Sequence, residues 1–196
     1  MKTRIFRKTG LILVATASLS ISSFASGDIN ISALKESSKA IVKIEVPAQD
    51  DVNVSLRDPD GIVVHSDVIS KNSEYGRVFD FSQVNDGVYT FVTKTGYTTT
   101  TKTIELKNNS ISILGKDYSY DPIFMIDGDL LIVSYLNQST EDISISLEDS
   151  KREYFKEKEG NSLTYGKMIN IEKLSSGEYT LALVVGDKEY KYRFSR

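Results

Sequence analysis

The sequence predicts an all-β protein, in which two tandem antiparallel β-sandwich domains follow a cleaved signal peptide. Three observations support this prediction: strand-like alternation along most of the chain, a basic and then apolar beginning, and an internal repeat at a spacing of about 90 residues. The chain contains no Cys, so disulfide bonds cannot hold the fold and a buried core has to do so.

The first 25 residues have the organisation of a secretory signal peptide. A basic segment, 2–8, precedes an apolar run, 10–17, and Ser23-Phe24-Ala25 places small residues at the −3 and −1 positions of a cleavage site. The apolar run is too short to span about 30 Å of hydrocarbon, and no later segment is apolar enough to cross a membrane. We therefore expect a secreted or periplasmic protein, or one held at the cell surface.

The charge of the exported chain excludes one class of partner. Removal of residues 1–25 takes away four positive and no negative side chains, and changes the formal net charge from −3 to −7. Nucleic-acid binding depends on Lys and Arg side chains that neutralise phosphates. We therefore expect no nucleic-acid partner.

The internal repeat indicates how the domains are arranged. Residues 75–90 and 165–180 align without a gap, and each begins with Tyr-Gly and contains Gly-x-Tyr near its end. A repeat of this length indicates a duplicated domain, because solenoid units are about 20–50 residues long. The repeat predicts a signal peptide over 1–25, a first sandwich over 26–107, a linker over 108–121 and a second sandwich over 122–196.

Each copy contains about seven short segments that are typical of strands. Val52, Val54 and Leu56 alternate with polar residues, which is the pattern of a strand with one buried face. Seven such strands separated by polar turns are typical of an antiparallel sandwich. Helix propensity competes at Lys151–Gly160, but its repeat partner, Gly61–Ser70, has a strand pattern, so we predict a strand there.

The second half of each copy has a recognisable order of elements. A strand and a polar turn lead to Gly-x-Tyr, and an apolar strand and a basic-tipped final strand follow, over residues 84–106 and 174–196. This order resembles immunoglobulin-like modules of exported Bacteroidetes proteins, including the C-terminal sorting domain of the type IX secretion system and the Ig-like part of the flagellar hook-capping protein. The Pro-Asn-Pro opening common in the sorting domains is missing, and only Val46-Pro47 lies near that place.

The resemblance implies an Ig-like or fibronectin-III-like sandwich for each copy, and a role related to type IX sorting as one alternative function. The Gly-x-Tyr motif itself has a structural interpretation. Gly87 and Gly177 would allow a tight turn. Tyr89 and Tyr179 would bury their rings and place each hydroxyl on a backbone group, as in a tyrosine corner.

The sequence offers no catalytic arrangement. His65-Ser66-Asp67 contains the residue types of a triad, but neighbours on a strand point to opposite faces, and nothing supplies an oxyanion hole. The acidic residues lie at turns and on wet strand faces, so they do not form the carboxylate pair of a glycosidase. We expect a non-enzymatic protein without a cofactor, in which His65 is a solvated strand residue.

Contact with another protein is the function that the sequence favours. Thr98, Thr99, Thr100 and Thr101 are polar and strongly β-forming, and we expect them to form an edge that recruits a strand from an envelope protein.

The alternative is a carbohydrate- or calcium-binding accessory protein. Tyr97, Tyr118 and Tyr120 could line a glycan surface, and the turns at 58–61 and 127–129 present carboxylates, which calcium prefers.

Overall fold

The computed structural model describes residues 27–35 and 37–196, and the predicted signal peptide lies outside these residues. Every regular element that is described is a β-strand, and the 15 strands form four antiparallel sheets. The prediction of an all-β fold is therefore confirmed.

The first sandwich has two sheets. Its first seven strands are β1 (Ile29–Ala33), β2 (Lys39–Ile44), β3 (Val52–Arg57), β4 (Val63–Ile69), β5 (Tyr75–Asp80), β6 (Gly87–Thr95) and β7 (Thr98–Lys107), and β8 (Ser110–Tyr120) follows. One sheet has the order β1-β2-β5 and the other the order β4-β3-β6-β7-β8.

The second sandwich repeats this arrangement without a counterpart of β8. Its strands are β9 (Ile123–Asp127), β10 (Leu130–Leu136), β11 (Ile143–Glu148), β12 (Glu153–Gly160), β13 (Thr164–Asn170), β14 (Glu178–Val185) and β15 (Lys188–Ser195). The sheets have the orders β9-β10-β13 and β12-β11-β14-β15. Each copy is an Ig-like or fibronectin-III-like sandwich, as the repeat predicts.

Alternation along the strands builds both cores. Val52, Val54 and Leu56 of β3 are buried in the first core, and Ile143, Ile145 and Leu147 are buried at the matching positions of β11 in the second. Each such side chain contributes about 1.5–3 kcal/mol when it leaves water. Because the two sheets of a sandwich share this interior, their outer faces and edge strands are left to contact solvent or partners.

The segment 108–121, predicted as a linker, contains a strand of the first sandwich. β8 pairs with β7 along its whole length, and Ile111 is buried in the first core. The cause is the turn: Asn108 and Asn109 have φ of 50° and 59°. Two consecutive residues with positive φ make a two-residue hairpin whose twist matches the flanking strands. The structure therefore places residues 110–120 in the five-stranded sheet of the first sandwich, where the sequence predicted a linker.

The segment for which helix propensity and the repeat disagreed forms a strand, β12. Glu153–Gly160 forms an edge strand that pairs with β11, in the place that β4 takes in the first sandwich. Packing and pairing in the sandwich override the helix propensity of the Glu and Lys residues here. The prediction of a strand over this segment is confirmed.

Candidate interaction surfaces

The two Gly-x-Tyr motifs lie at equivalent corners. The Tyr89 hydroxyl donates to the Asn85 carbonyl at 2.8 Å, and the Tyr179 hydroxyl donates to the Ser175 carbonyl at 2.8 Å. Both rings are buried. This is the geometry of a tyrosine corner, in which one side chain ties the start of a strand to the turn before it.

The two glycines of these motifs differ. A Cβ at Gly87 would lie 2.6 Å from Pro59 Cγ, so the close approach of the 58–61 turn requires glycine there. A Cβ at Gly177 would meet only the Tyr179 ring, at 3.9 Å, which is an ordinary contact. At Gly87 the need for glycine therefore comes from the close approach of Pro59 and from the positive φ of 156°, and Gly177 has no such steric need.

Thr98, Thr99, Thr100 and Thr101 do not form an edge. They lie in β7, which pairs with β6 on one side and with β8 on the other. The Asn108-Asn109 hairpin returns β8 along them and occupies the backbone groups that an added strand would need. The prediction of an exposed edge at these residues is wrong for that reason.

His65 is half-buried, although the sequence predicted a solvated residue. Its ring packs edge-on against Phe79, with centroids 5.3 Å apart and planes at 80°. Its Nε2 is buried without a hydrogen-bond partner within the described residues. Ser66 is exposed on the opposite face of β4, so the two side chains do not form a nucleophile–base pair.

The carboxylates of the two predicted calcium turns have local roles. Asp58 Oδ1 accepts from the N–H groups of Asp60 and Ile62 at 3.0 and 2.8 Å, and Asp129 pairs with Arg196 at 2.5 Å. In the part of the chain that the structure describes, no group of three or more His, Cys, Asp or Glu could hold a metal ion. Turn formation and an ion pair account for these side chains.

The three tyrosines of the predicted glycan surface lie around one end of the β7–β8 pair. Tyr120 is the partner of Thr98 and Tyr118 is the partner of Thr100, while Tyr97 lies in the turn between β6 and β7. The Lys116 ammonium lies 4.8 Å from the Tyr118 ring centroid, a cation–π contact that covers one face of that ring.

A cation joins the two sheets of the second sandwich at one side. Lys167 of β13 contacts both Glu157 and Glu159 of β12. Although burial opposes it, hydrogen bonding to these carboxylates raises the pKa of Lys167. Burial raises the pKa of the neighbouring Tyr165 to about 12. These groups form a structural ion cluster.

The outer face of the β9-β10-β13 sheet carries an apolar surface, which we call the methionine patch. Its members are Ile123, Met125, Leu130, Ile132 and Met168. Ile132 is the direct cross-strand partner of both Met125 and Met168, so the three side chains form one row across the sheet. Met125 is 50% and Met168 70% exposed.

The same face of the first sandwich is mostly polar. In strand register, the five positions of the methionine patch correspond to Asn30, Ser32, Lys39, Ile41 and Val78. Three polar side chains have apolar counterparts in the second sandwich. The sequence contains a signal for this surface, which is the difference in polarity between the outward positions of the two copies, but strand alternation alone does not reveal it.

The outer strands of the two long sheets also differ. β4 and β12 occupy the same end of their sheets. β4 exposes apolar β-branched side chains, whereas β12 carries five charged residues, Glu153, Lys156, Glu157, Lys158 and Glu159.

Comparison with known proteins agrees with the sandwich fold of the first copy. Residues 37–107 match the family described as the secretion system C-terminal sorting domain. The resemblance of the chain to these modules is therefore confirmed, and the match agrees with the prediction of export. In this sequence the second sandwich follows the matched residues. No curated protein shows a significant match to the chain.

Two solved structures are among those that match parts of this chain. The BSP domain of a biofilm associated protein has 12% sequence identity and a TM-score of 0.28, over 85% of this chain and 29% of that one. The central fibronectin-III array of RIM-binding protein has 7% identity and a TM-score of 0.26, over 87% of this chain and 96% of that one. The chain thus spans less than a third of the length of the first structure.

Within residues 27–35 and 37–196, no helix has the length and apolar character needed to cross a membrane.

Proposed function

We propose that this chain is an exported Ig-like protein that acts by contact with another protein of the cell envelope, and that the methionine patch is the contact surface. The observation that carries the proposal is the row Met125–Ile132–Met168, in which both methionines are exposed. The row lies within a five-residue apolar surface whose counterpart in the first sandwich has three polar residues. Contiguous exposed apolar surface on an exported protein is typical of a binding site.

The chemistry of the patch favours a protein partner. Its side chains are Ile, Leu and Met, so it offers no aromatic ring for a sugar to stack on and no charge for an ionic ligand. Met has three rotatable bonds and a polarisable sulfur, which lets it adapt to an apolar protein surface. Apart from Met1, both methionines of the chain lie in this patch.

The partner would present an apolar face of similar width, with a basic rim. Asp127 is the cross-strand partner of Leu130 and points to the same outer face, so the patch has an acidic residue at its border. The net charge of −7 expected for the exported chain acts in the same direction, because complementary charge increases the rate of association.

Loss of the patch should abolish the contact while the fold is kept. The experiment captures envelope proteins of the source organism on the immobilised exported chain, and compares it with a variant that combines Met125→Lys and Met168→Lys. The matched control is Val78→Lys, which changes the equivalent exposed position of the first sandwich. A single envelope protein should bind to the unchanged chain and to the control, and bind at least about ten-fold more weakly to the double variant.

The affinity of the captured protein is then measured with purified components, so that the result does not depend on extract composition. Equal affinity for the double variant and the control would refute the patch as the contact surface. If the unchanged chain captures nothing, the proposal of an envelope protein partner fails.

A second candidate function is a role related to type IX sorting, which the match over residues 37–107 favours. The test places a secreted reporter ahead of the two sandwiches and follows it in cells with and without the type IX system. Surface display that depends on this system would support sorting. A reporter that stays in the periplasm of both strains would exclude it.

A further inference from the structure

Within residues 27–35 and 37–196, no strand pairs with the outer side of the edge strand β4, and most of its exposed side chains are apolar. It is the last strand of the β4-β3-β6-β7-β8 sheet. Val64 and Val68 point to the outer face of this sheet and are 54% and 61% exposed. Ile62, which precedes the strand, and Val63, its first residue, are exposed as well. A long apolar edge of this kind is a template for pairing with another strand.

The equivalent edge strand of the second sandwich, β12, has features that prevent pairing with another chain. β12 carries five Glu and Lys side chains, and its pairing with β11 is interrupted by two register shifts. Charges and bulges on an edge strand prevent pairing with other chains. In β4 the only ionisable side chains are His65 and Asp67, and both lie on the inner side of the strand, opposite Leu56 and Val54.

The backbone of β4 has donors on its free side. The Val68 N–H donates to Asp67 Oδ1 at 3.0 Å, a substitute partner from its own neighbour. Because the direction of the N–H groups alternates along a strand, the Ser66 N–H faces the same free side. An added antiparallel strand would replace the local bond of Val68 with a ladder.

We propose that β4 pairs antiparallel with β4 of a second copy, across a two-fold axis at Ser66, and that the two long sheets join into one continuous sheet. This register is self-complementary. Ser66 faces Ser66 of the second copy, Val64 faces Val68, and His65 faces Asp67. Both valine pairs lie on the outer face and both His–Asp pairs on the inner face, as an isologous interface requires.

Two neighbouring registers are worse. An axis at Asp67 places two carboxylates directly opposite each other, and like charges in that position are destabilising. An axis at Val68 places Val64 opposite Asn72, beyond the end of the strand, and removes the His–Asp pairs. The register centred on Ser66 covers the exposed valines and keeps the two Asp67 carboxylates apart, each beside the Arg77 of its own chain.

This interface is separate from the methionine patch, because it lies on the first sandwich. The proposal therefore goes beyond the proposed function, and each can fail without the other.

The test measures the mass of the exported chain in solution by sedimentation equilibrium over a range of concentrations. The unchanged chain should be a concentration-dependent dimer. Val64→Lys combined with Val68→Lys places lysines opposite each other and should weaken the dimer at least about ten-fold. Val64→Lys combined with Val68→Glu places each introduced lysine opposite an introduced glutamate, so this variant should dimerise again. Val78→Lys, an equally exposed valine on the other sheet, should leave the dimer unchanged.

Circular dichroism confirms that each variant is folded. A chain that is monomeric at all concentrations would refute the interface. If the Lys/Glu variant is as monomeric as the Lys/Lys variant, the register is refuted. Loss of the dimer in Val78→Lys would move the contact to the other sheet.

Discussion

β7 of the first sandwich and β15 of the second are equivalent strands, but only β7 has a neighbour on both sides within the described residues. β7 is covered by β8, whereas β15 ends its sheet and carries Lys188, Lys191 and Arg193. At the opposite end of the same sheets the end strands also differ: β4 exposes apolar side chains, and β12 exposes charged ones. The repeat thus preserves the strand order and the core. In the second sandwich both end strands of the long sheet carry charges, whereas in the first sandwich the end strand β4 is apolar.

The margins between the two sheets differ in a similar way. In the first sandwich, the buried Thr93 hydroxyl donates to the Gly27 carbonyl at 2.8 Å, which ties the beginning of the described chain to β6. In the second, Phe124 of β9 stacks on Tyr192 of β15, with centroids 5.4 Å apart and planes at 8°. One margin is closed by polar bonds to the chain before β1, and the other by aromatic contact.

The largest expected effect concerns β8, the strand that only the first sandwich has. Ile111 is 8% exposed and belongs to the first core, so Ile111→Ala should lower the free energy of unfolding of that domain by about 2–3 kcal/mol. Hydrogen exchange measured strand by strand should show weaker protection in β3, β6 and β7, with the second sandwich unchanged.

Ile113 on the same strand provides the control. It is 47% exposed, so Ile113→Ala should change the free energy of unfolding by less than about 0.5 kcal/mol. Equal changes in the free energy of unfolding for the two variants would mean that the side chain of Ile111 contributes no more than an exposed one, and that β8 adds nothing to the core.

The tyrosine corners should have equal effects, since both donate at the same distance. Tyr89→Phe and Tyr179→Phe keep the buried ring but leave the carbonyl of Asn85 or Ser175 without its bond. Each should cost about 1–2 kcal/mol in its own domain, because the acceptor lies near the protein surface and water can replace part of the bond.

Denaturant unfolding followed by domain-resolved hydrogen exchange measures both variants. If only one variant loses stability, the two domains share the motif in sequence, but the tyrosine hydroxyl stabilises only one of them. Unchanged stability in both would show that water replaces the bond completely.

Alternation and repetition made most of the fold predictable from sequence, and local geometry accounts for the rest. The repeat was sufficient to assign β12 as a strand against its helix propensity. It could not assign β8, because the second copy has no counterpart and the direction of the chain after Lys107 depends on the backbone angles of Asn108 and Asn109.

The candidate surfaces were less predictable than the strands. The run Thr98–Thr101 has the composition of an edge, but an edge is defined by which strand lies beside it, and that depends on the hairpin to β8. The methionine patch requires the register of three strands before Met125 and Met168 are seen on either side of Ile132. Alternation assigns each of these residues to a face but does not bring them into one row.

The smallest expected effect distinguishes two equivalent turns by pH. Asp80 Oδ1 accepts from the Ser82 N–H at 2.9 Å, and Asn170 Oδ1 accepts from the Glu172 N–H at 2.8 Å, so the two turns share one geometry. The Ser82 N–H, together with Lys39, lowers the pKa of Asp80 to about 2, whereas Asn170 has no charge to lose.

A lowered pKa in the folded state means that the ionised Asp80 stabilises the first sandwich above about pH 4, and that this contribution is lost as the pH falls through about 2. Asp80→Asn should therefore lower the urea midpoint slightly at about pH 5, and the difference from the unchanged chain should close by about pH 2. The effect is small because Asp80 is exposed and solvent screens its charge. A difference that stays constant over this range would assign the effect to the shape of the turn, and the two turns would then be equivalent in energy as well as in geometry.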